Sequence, residues 1–136
     1  MPMEFDLIPR GTRVEASGAG AKAAVDASAT RTFLCTLDIL DQLEQESIDV
    51  SIWGSEDGEG WGTSPILKIP QQFYRGETRM ILELALRPEV KFLQARWELN
   101  RWGRVAPSPM FVIGLHLREV PAMPQRVPAA ATGVST

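Results

Sequence analysis

From Ile48 to Trp53 the chain alternates strictly, with Ile48, Val50 and Ile52 on one side and Asp49, Ser51 and Trp53 on the other. Successive side chains of an extended backbone point to opposite faces, so this period of two predicts a strand with one buried face. The run then enters Gly54-Ser55-Glu56-Asp57-Gly58-Glu59-Gly60-Trp61, an acidic, glycine-rich turn closed by a second tryptophan. Asp57 is placed to accept backbone amides beyond it, and Gly58 to take a positive φ. A strand of this kind cannot stand alone. The rest of the chain must supply neighbours for its edges and an apolar layer for its face.

The same period recurs along the sequence. Thr32 to Leu40 predicts a strand with Phe33, Cys35, Leu37 and Ile39 inward. Phe92 to Leu99 sets Leu93, Ala95, Trp97 and Leu99 against Gln94, Arg96 and Glu98. Met110 to Arg118 sets Phe111, Ile113, Leu115 and Leu117 against Val112, Gly114, His116 and Arg118. Arg79 to Leu86 alternates with Met80, Leu82, Leu84 and Leu86 inward. Its leucine, glutamate and alanine also favour a helix, and Arg87-Pro88 ends either element. Shorter apolar pieces lie at Phe5 to Ile8, expected as a short edge strand ended by Pro9 and Gly11, and at Ile66 to Ile69, stopped by Pro70. Between Ala16 and Ala29 only 24 to 28 reads as a strand. Gly18-Ala19-Gly20-Ala21-Lys22 lacks the full phosphate-loop pattern and is expected to be loop.

Six or more short strands separated by turn residues predict an all-β fold, a single antiparallel β-sandwich or jelly roll. Residues 1–31 then form an N-terminal arm and edge strand, residues 32–120 the sandwich, and residues 121–136 an extended arm. Pro121, Pro124 and Pro128 exclude a regular helix from that arm, so it is expected to gain order against a neighbouring subunit.

A chain of 136 residues with 44% apolar and 23% charged residues suits one core, held without disulfide or metal. The net charge of −3 argues against general affinity for nucleic acid or anionic membrane. No apolar run approaches the length of a membrane span, and no basic segment precedes an apolar block at the N-terminus. The expected location is the cytoplasm or the inside of an assembled particle.

Catalytic groups are sparse. The single cysteine, Cys35, is in phase with the core of its strand, whereas the single histidine, His116, is out of phase with its own. A nucleophilic pair needs the two within hydrogen-bond reach, which these phases oppose. Two further carboxylates would have to complete a zinc site. Glu56, Asp57 and Glu59 are oxygen donors suited to calcium, but they lack the spacing of a calcium loop, and a solvated acidic turn is the expectation. The chain is thus read as non-enzymatic and free of cofactors.

Trp53, Trp61, Tyr74 and Trp102 are large rings at positions that the strand phases leave outside the core. Several exposed aromatics imply a contact surface, either a subunit interface or a platform for sugar rings. Arg96, Arg101 and Arg104, near Trp97 and Trp102, form the one basic-aromatic grouping and are expected to pair with carboxylates across an interface. These seven residues, Trp53, Trp61, Tyr74, Arg96, Arg101, Trp102 and Arg104, are the candidate contact residues. Copies of the chain or other assembly subunits are the expected partners, with glycan as the second class.

The turn Ser55-Glu56-Asp57-Gly58-Glu59-Gly60-Trp61 resembles the Ser-x-Asp-Gly-x-x-Trp turn of discoidin or galactose-binding-like β-sandwich domains. Phe92 to Trp97 echoes their aromatic and arginine strand, and Phe111 to Leu117 their closing apolar strand. The resemblance spans about residues 32 to 120. It implies a jelly-roll module of the kind that decorates phage capsids and tails or binds sugars. The paired terminal cysteines of the extracellular members are absent here. Fold similarity does not choose among these uses.

Overall fold

The computed structural model describes residues 2–102 and 109–121. The described residues contain no helix and form nine strands: β1 (Glu4–Val14), β2 (Gly18–Ala19), β3 (Ala23–Ala24), β4 (Thr32–Gln42), β5 (Glu46–Ser55), β6 (Leu67–Lys68), β7 (Gly76–Glu83), β8 (Phe92–Arg101) and β9 (Phe111–Glu119). They make two antiparallel sheets. One has the order β1-β9-β4-β7, the other β2-β8-β5-β6, with β3 also pairing β8. The arm predicted from Pro121 onward lies, beyond Pro121 itself, outside the described residues, as does Arg104.

The alternation sorts side chains as the sequence predicts. Phe33, Cys35, Leu37 and Ile39 of β4, and Phe111, Ile113, Leu115 and Leu117 of β9, are buried with Ile48, Val50 and Ile52 of β5 and Leu93 and Ala95 of β8. One sheet's apolar face thus meets the other's in a shared core, the sandwich-like solution for half-apolar strands. Trp97 and Leu99 pack half-buried at its margin.

The strand expected over Arg79 to Leu86 forms as β7, residues 76–83, which pairs β4 in unbroken register from Ile39↔Gly76 to Thr32↔Glu83. Tertiary pairing overrides the helix propensity there. Leu86 is 90% exposed rather than inward, since β7 stops at Glu83 and Arg87 N donates to Leu84 O at 3.0 Å in a turn. β1 runs straight through Pro9 and Gly11. As an edge strand it absorbs both in one register shift against β9, between Ile8 and Thr12, after an earlier shift between Asp6 and Ile8. Gly114 of β9 allows this, because a Cβ there would lie 2.7 Å from Arg10 Cα. Of residues 24 to 28 only Ala24 is in a strand, β3, while Gly18–Ala19 forms β2 beside Trp97.

Each end of the sandwich is tied by a buried carboxylate. At one end Glu119 accepts Met3 N at 2.8 Å, Thr30 N at 2.7 Å and Thr30 Oγ1 at 3.0 Å. The Thr30 and Met3 amides hold its carboxyl far down, at about 2. Beside it Arg31, at φ 60°, donates Nη2 to Arg87 O at 2.8 Å and Val90 O at 2.7 Å, fastening the β7–β8 connection. At the other end Glu46 accepts Leu43 N at 2.7 Å and Met110 N at 2.9 Å, joining the β4–β5 turn to the entry of β9.

Candidate functional site

The candidate residues fall into separate places rather than one site. Trp53 is half-buried on the outer face of the β5–β8 sheet; its Nε1 donates to Ser51 Oγ at 2.9 Å, and the Arg96 guanidinium lies 4.1 Å above its ring. The cation over the ring desolvates one ring face, and Arg96 is held there by its Nε donating to Gln94 Oε1 at 3.2 Å. This pair lines a groove of about 490 Å³ with Asp49, Ser51, Lys68, Trp97 and Glu98. Trp97 pairs Val50 and Gly18, so its side chain leaves from the face opposite Trp53; the indole packs along the Gly18 to Gly20 segment, with Nε1 donating to Ala16 O at 3.1 Å. The glycine-rich segment therefore seats an indole. Lys22, at its end, lies 5.6 Å over the Phe92 ring and donates to Gly58 O at 3.3 Å.

Arg101 does not join Arg96. Arg96 pairs Ser51 and Arg101 pairs Glu46, positions on opposite sides of the sheet; Arg101 turns inward with its Nε and Nη2 buried, so the basic grouping divides between the outer face and the interior side.

Tyr74 and Trp102 stand at the Glu46 end. Tyr74 is 69% exposed and Trp102 60% exposed, and Phe73 brings them together. The Phe73 ring centroid lies 6.3 Å from that of Tyr74 at 43° and 6.0 Å from that of Trp102 at 66°. Phe73 was not among the sequence candidates. Its signal was adjacency to Tyr74 in a loop, but nothing in the sequence tells that residues 73 and 102 meet. Ile48 backbone bonds to Gln72, at 2.9 and 3.0 Å, place the loop there.

The acidic turn satisfies itself. Asp57 Oδ1 accepts Glu59 N and Gly60 N at 2.9 Å and Ser55 Oγ at 3.0 Å, while Ser55 Oγ accepts Gly58 N at 2.8 Å. These bonds, led by the Gly60 amide, pull the Asp57 carboxyl down to about 2. Gly58 has φ +82°, as the turn requires. Trp61 is half-buried beside the turn, lining a cleft of about 210 Å³ with Glu56, Arg87 and Glu89. Among the described residues no three His, Cys, Asp or Glu side chains are grouped to hold a metal ion.

Cys35 faces the core, where burial pushes its thiol up to about 12. His116 lies on the outer face of the same sheet, with Nδ1 2.8 Å from Asp6 Oδ1 and Nε2 2.7 Å from Glu4 Oε2. The Asp6 contact is the main cause that raises its pKa. The sheet itself separates Cys35 from His116. No helix of the described residues is long and apolar enough to cross a membrane. No family model matches this chain, and no curated protein matches it either.

Proposed function

We propose that the chain is a non-catalytic structural subunit, a β-sandwich building block or decorating unit of a larger protein assembly that docks through Phe73, Tyr74 and Trp102. The observation that carries this reading is the exposure of Tyr74 and Trp102 on a shared Phe73. Tryptophan and tyrosine are enriched at protein interfaces, where each buries a large area at small entropic cost. Phe73 stands at 43° to Tyr74 and at 66° to Trp102, so the three rings together present relief rather than one plane, which suits a protein surface.

The strand order supports the same reading. With β2 and β3 taken as one interrupted strand, the sheets are those of an eight-stranded jelly roll, an architecture used by capsid and lectin domains. Light scattering of the full chain and of a Tyr74→Ala/Trp102→Ala variant tests it. Assembly that the double variant loses supports the reading; a full chain that stays monomeric and binds no protein partner sinks it.

A glycan-binding module is the second reading. It is favoured by the groove that sets the Trp53 ring beside Asp49, Lys68, Arg96 and Glu98, a mixture of ring and hydroxyl-binding groups. It predicts glycan-array binding that Trp53→Ala removes while the fold persists.

A further inference from the structure

A sheet edge presents unpaired backbone groups, and proteins blunt such edges by shortness, proline or bulges. Three of the edges described here are blunted. β1 carries Pro9 and two register shifts, β6 has two residues with Pro70 close behind, and β2 and β3 have two residues each. The fourth, β7, has eight residues, no proline and an unshifted register.

The direction of its free groups follows from two bonds. Leu84 N donates to Arg31 O at 2.7 Å, and Val120 N donates to Thr32 O at 2.8 Å. The backbone of Arg31 therefore faces β7 and that of Thr32 faces β9. By alternation, the even residues of β7 bond to β4, and the N–H and C=O groups of Glu77, Arg79, Ile81 and Glu83 point outward. None of these outward groups has a backbone partner among the described residues. The side chains of the same four residues lie on the outer face, with Ile81 54% exposed.

We propose that the free edge of β7 pairs antiparallel with β7 of a second copy of this chain, in the register that sets Ile81 opposite Ile81. That register opposes Arg79 to Glu83 of the second copy, twice by symmetry, and sets Met80 against Leu82 on the core side. Slipping by two residues one way would oppose Glu77 to Glu83, and by four would oppose Arg79 to itself, so like charges disfavour both; slipping by two the other way sets Arg79 against Ala85 and forfeits both ion pairs. The charges that would otherwise guard this edge are complementary to their own copy. The pairing rests on the reading of the chain as an assembly subunit and names one partner; it uses an edge separate from the aromatic patch.

The test combines light scattering with amide exchange on the full chain, from about 1 μM to about 1 mM. The expected result is a mass that doubles with concentration while the amides of Arg79, Ile81 and Glu83 slow and those between them do not change. Arg79→Glu alone and Glu83→Arg alone oppose like charges and are expected to weaken the dimer by at least about tenfold; mixing the two variants restores complementarity and the dimer. Ile81→Lys, at an exposed position, breaks it without touching the core.

A full chain that is monomeric throughout, with unchanged exchange, overturns the pairing. Protection of the three amides that does not depend on concentration also overturns it, since part of the same chain then covers the edge. A dimer that survives Arg79→Glu but is lost in Tyr74→Ala/Trp102→Ala overturns the edge pairing and leaves the aromatic patch standing. A dimer lost in Arg79→Glu and kept in the aromatic variant supports the edge pairing, and docking through the patch is then judged by its own test.

Discussion

At the end of the sandwich where β4 and β8 begin, polar groups are turned inward: Glu119 gathers Met3 and Thr30, Arg31 gathers Arg87 and Val90, and Asp57 gathers its own turn. The opposite end has a comparable tie in Glu46, yet there Tyr74 and Trp102 stand outside with Phe73 between them. Both ends close the core, but among the described residues only one leaves large apolar rings in water. Surplus exposed aromatic surface beyond what closure needs is the mark of a contact, whereas satisfied polar groups are the mark of a lid.

The comparison breaks most decisively at the carboxylates. Glu119→Ala leaves the Met3 and Thr30 amides without their acceptor and is expected to cost about 3 kcal/mol in urea unfolding. Glu46→Ala, which strips two amides of theirs, should cost about 2 kcal/mol. If Glu46→Ala proves neutral, the two ends differ in anchoring as well as in surface. Acid sharpens the point. The Glu119 carboxyl is held at about 2, below its ordinary 4.5, so its contribution is fully present above pH 4.5 and is lost as pH falls toward 2. The Glu119→Ala variant should lack that component of the acid-unfolding curve.

Gly58→Ala has a smaller expected cost, about 1 kcal/mol, from forcing a side chain into positive φ. The nearest obstacle to the added Cβ is Lys22 Nζ at 3.1 Å, the far end of a flexible chain that can swing aside. Thermal unfolding measures it. A loss several times larger would mean that the turn braces the closed end beyond its own four residues.

That turn was largely legible in the sequence, because its chemistry is local: Asp57 accepts amides two and three residues on, and Gly58 takes the positive φ, while the bond from the Gly58 amide to Ser55 Oγ was not foreseen. So were the core faces of β4, β5 and β9, where a period of two leaves little choice of side. Other features were hidden because they depend on which strands become neighbours. Gly114 sits in the outward phase yet is buried, since the β1 bulge passes over it. Pro9 and Gly11 read as terminators because nothing in the chain announces that β1 is an edge strand with room for both. The candidate site was half legible: Tyr74 and Trp102 fall in connections between the alternating strands and so outside the core, but their convergence on Phe73 needs the β5 contact with Gln72.

The aromatic end itself should be nearly silent in stability. Tyr74→Ala and Trp102→Ala remove mostly solvated surface and are each expected to change unfolding free energy by about 0.5 kcal/mol or less, while reducing association read by light scattering. A loss of about 2 kcal/mol would instead make the rings part of the lid, and the contrast between the ends would collapse.

The smallest effect belongs to His116, which straps the start of β1 to β9 near the closed end. Both ring nitrogens face carboxylates, Asp6 at 2.8 Å and Glu4 at 2.7 Å, and both can donate only when the imidazole is protonated. Its pKa is accordingly raised above the ordinary 6.5. A group raised by folding stabilises fully below its unfolded value, so the strap contributes below pH 6.5 and is lost as pH rises through the folded value. Because the imidazole and both carboxylates are substantially exposed, screening limits the contribution to about 0.3 kcal/mol. The difference in urea midpoint between the wild type and His116→Gln, followed from pH 5.5 to 9, should shrink with rising pH, opposite in sense to the acid loss at Glu119. A constant difference would mean that packing on the sheet, and not charge, holds β1 in place.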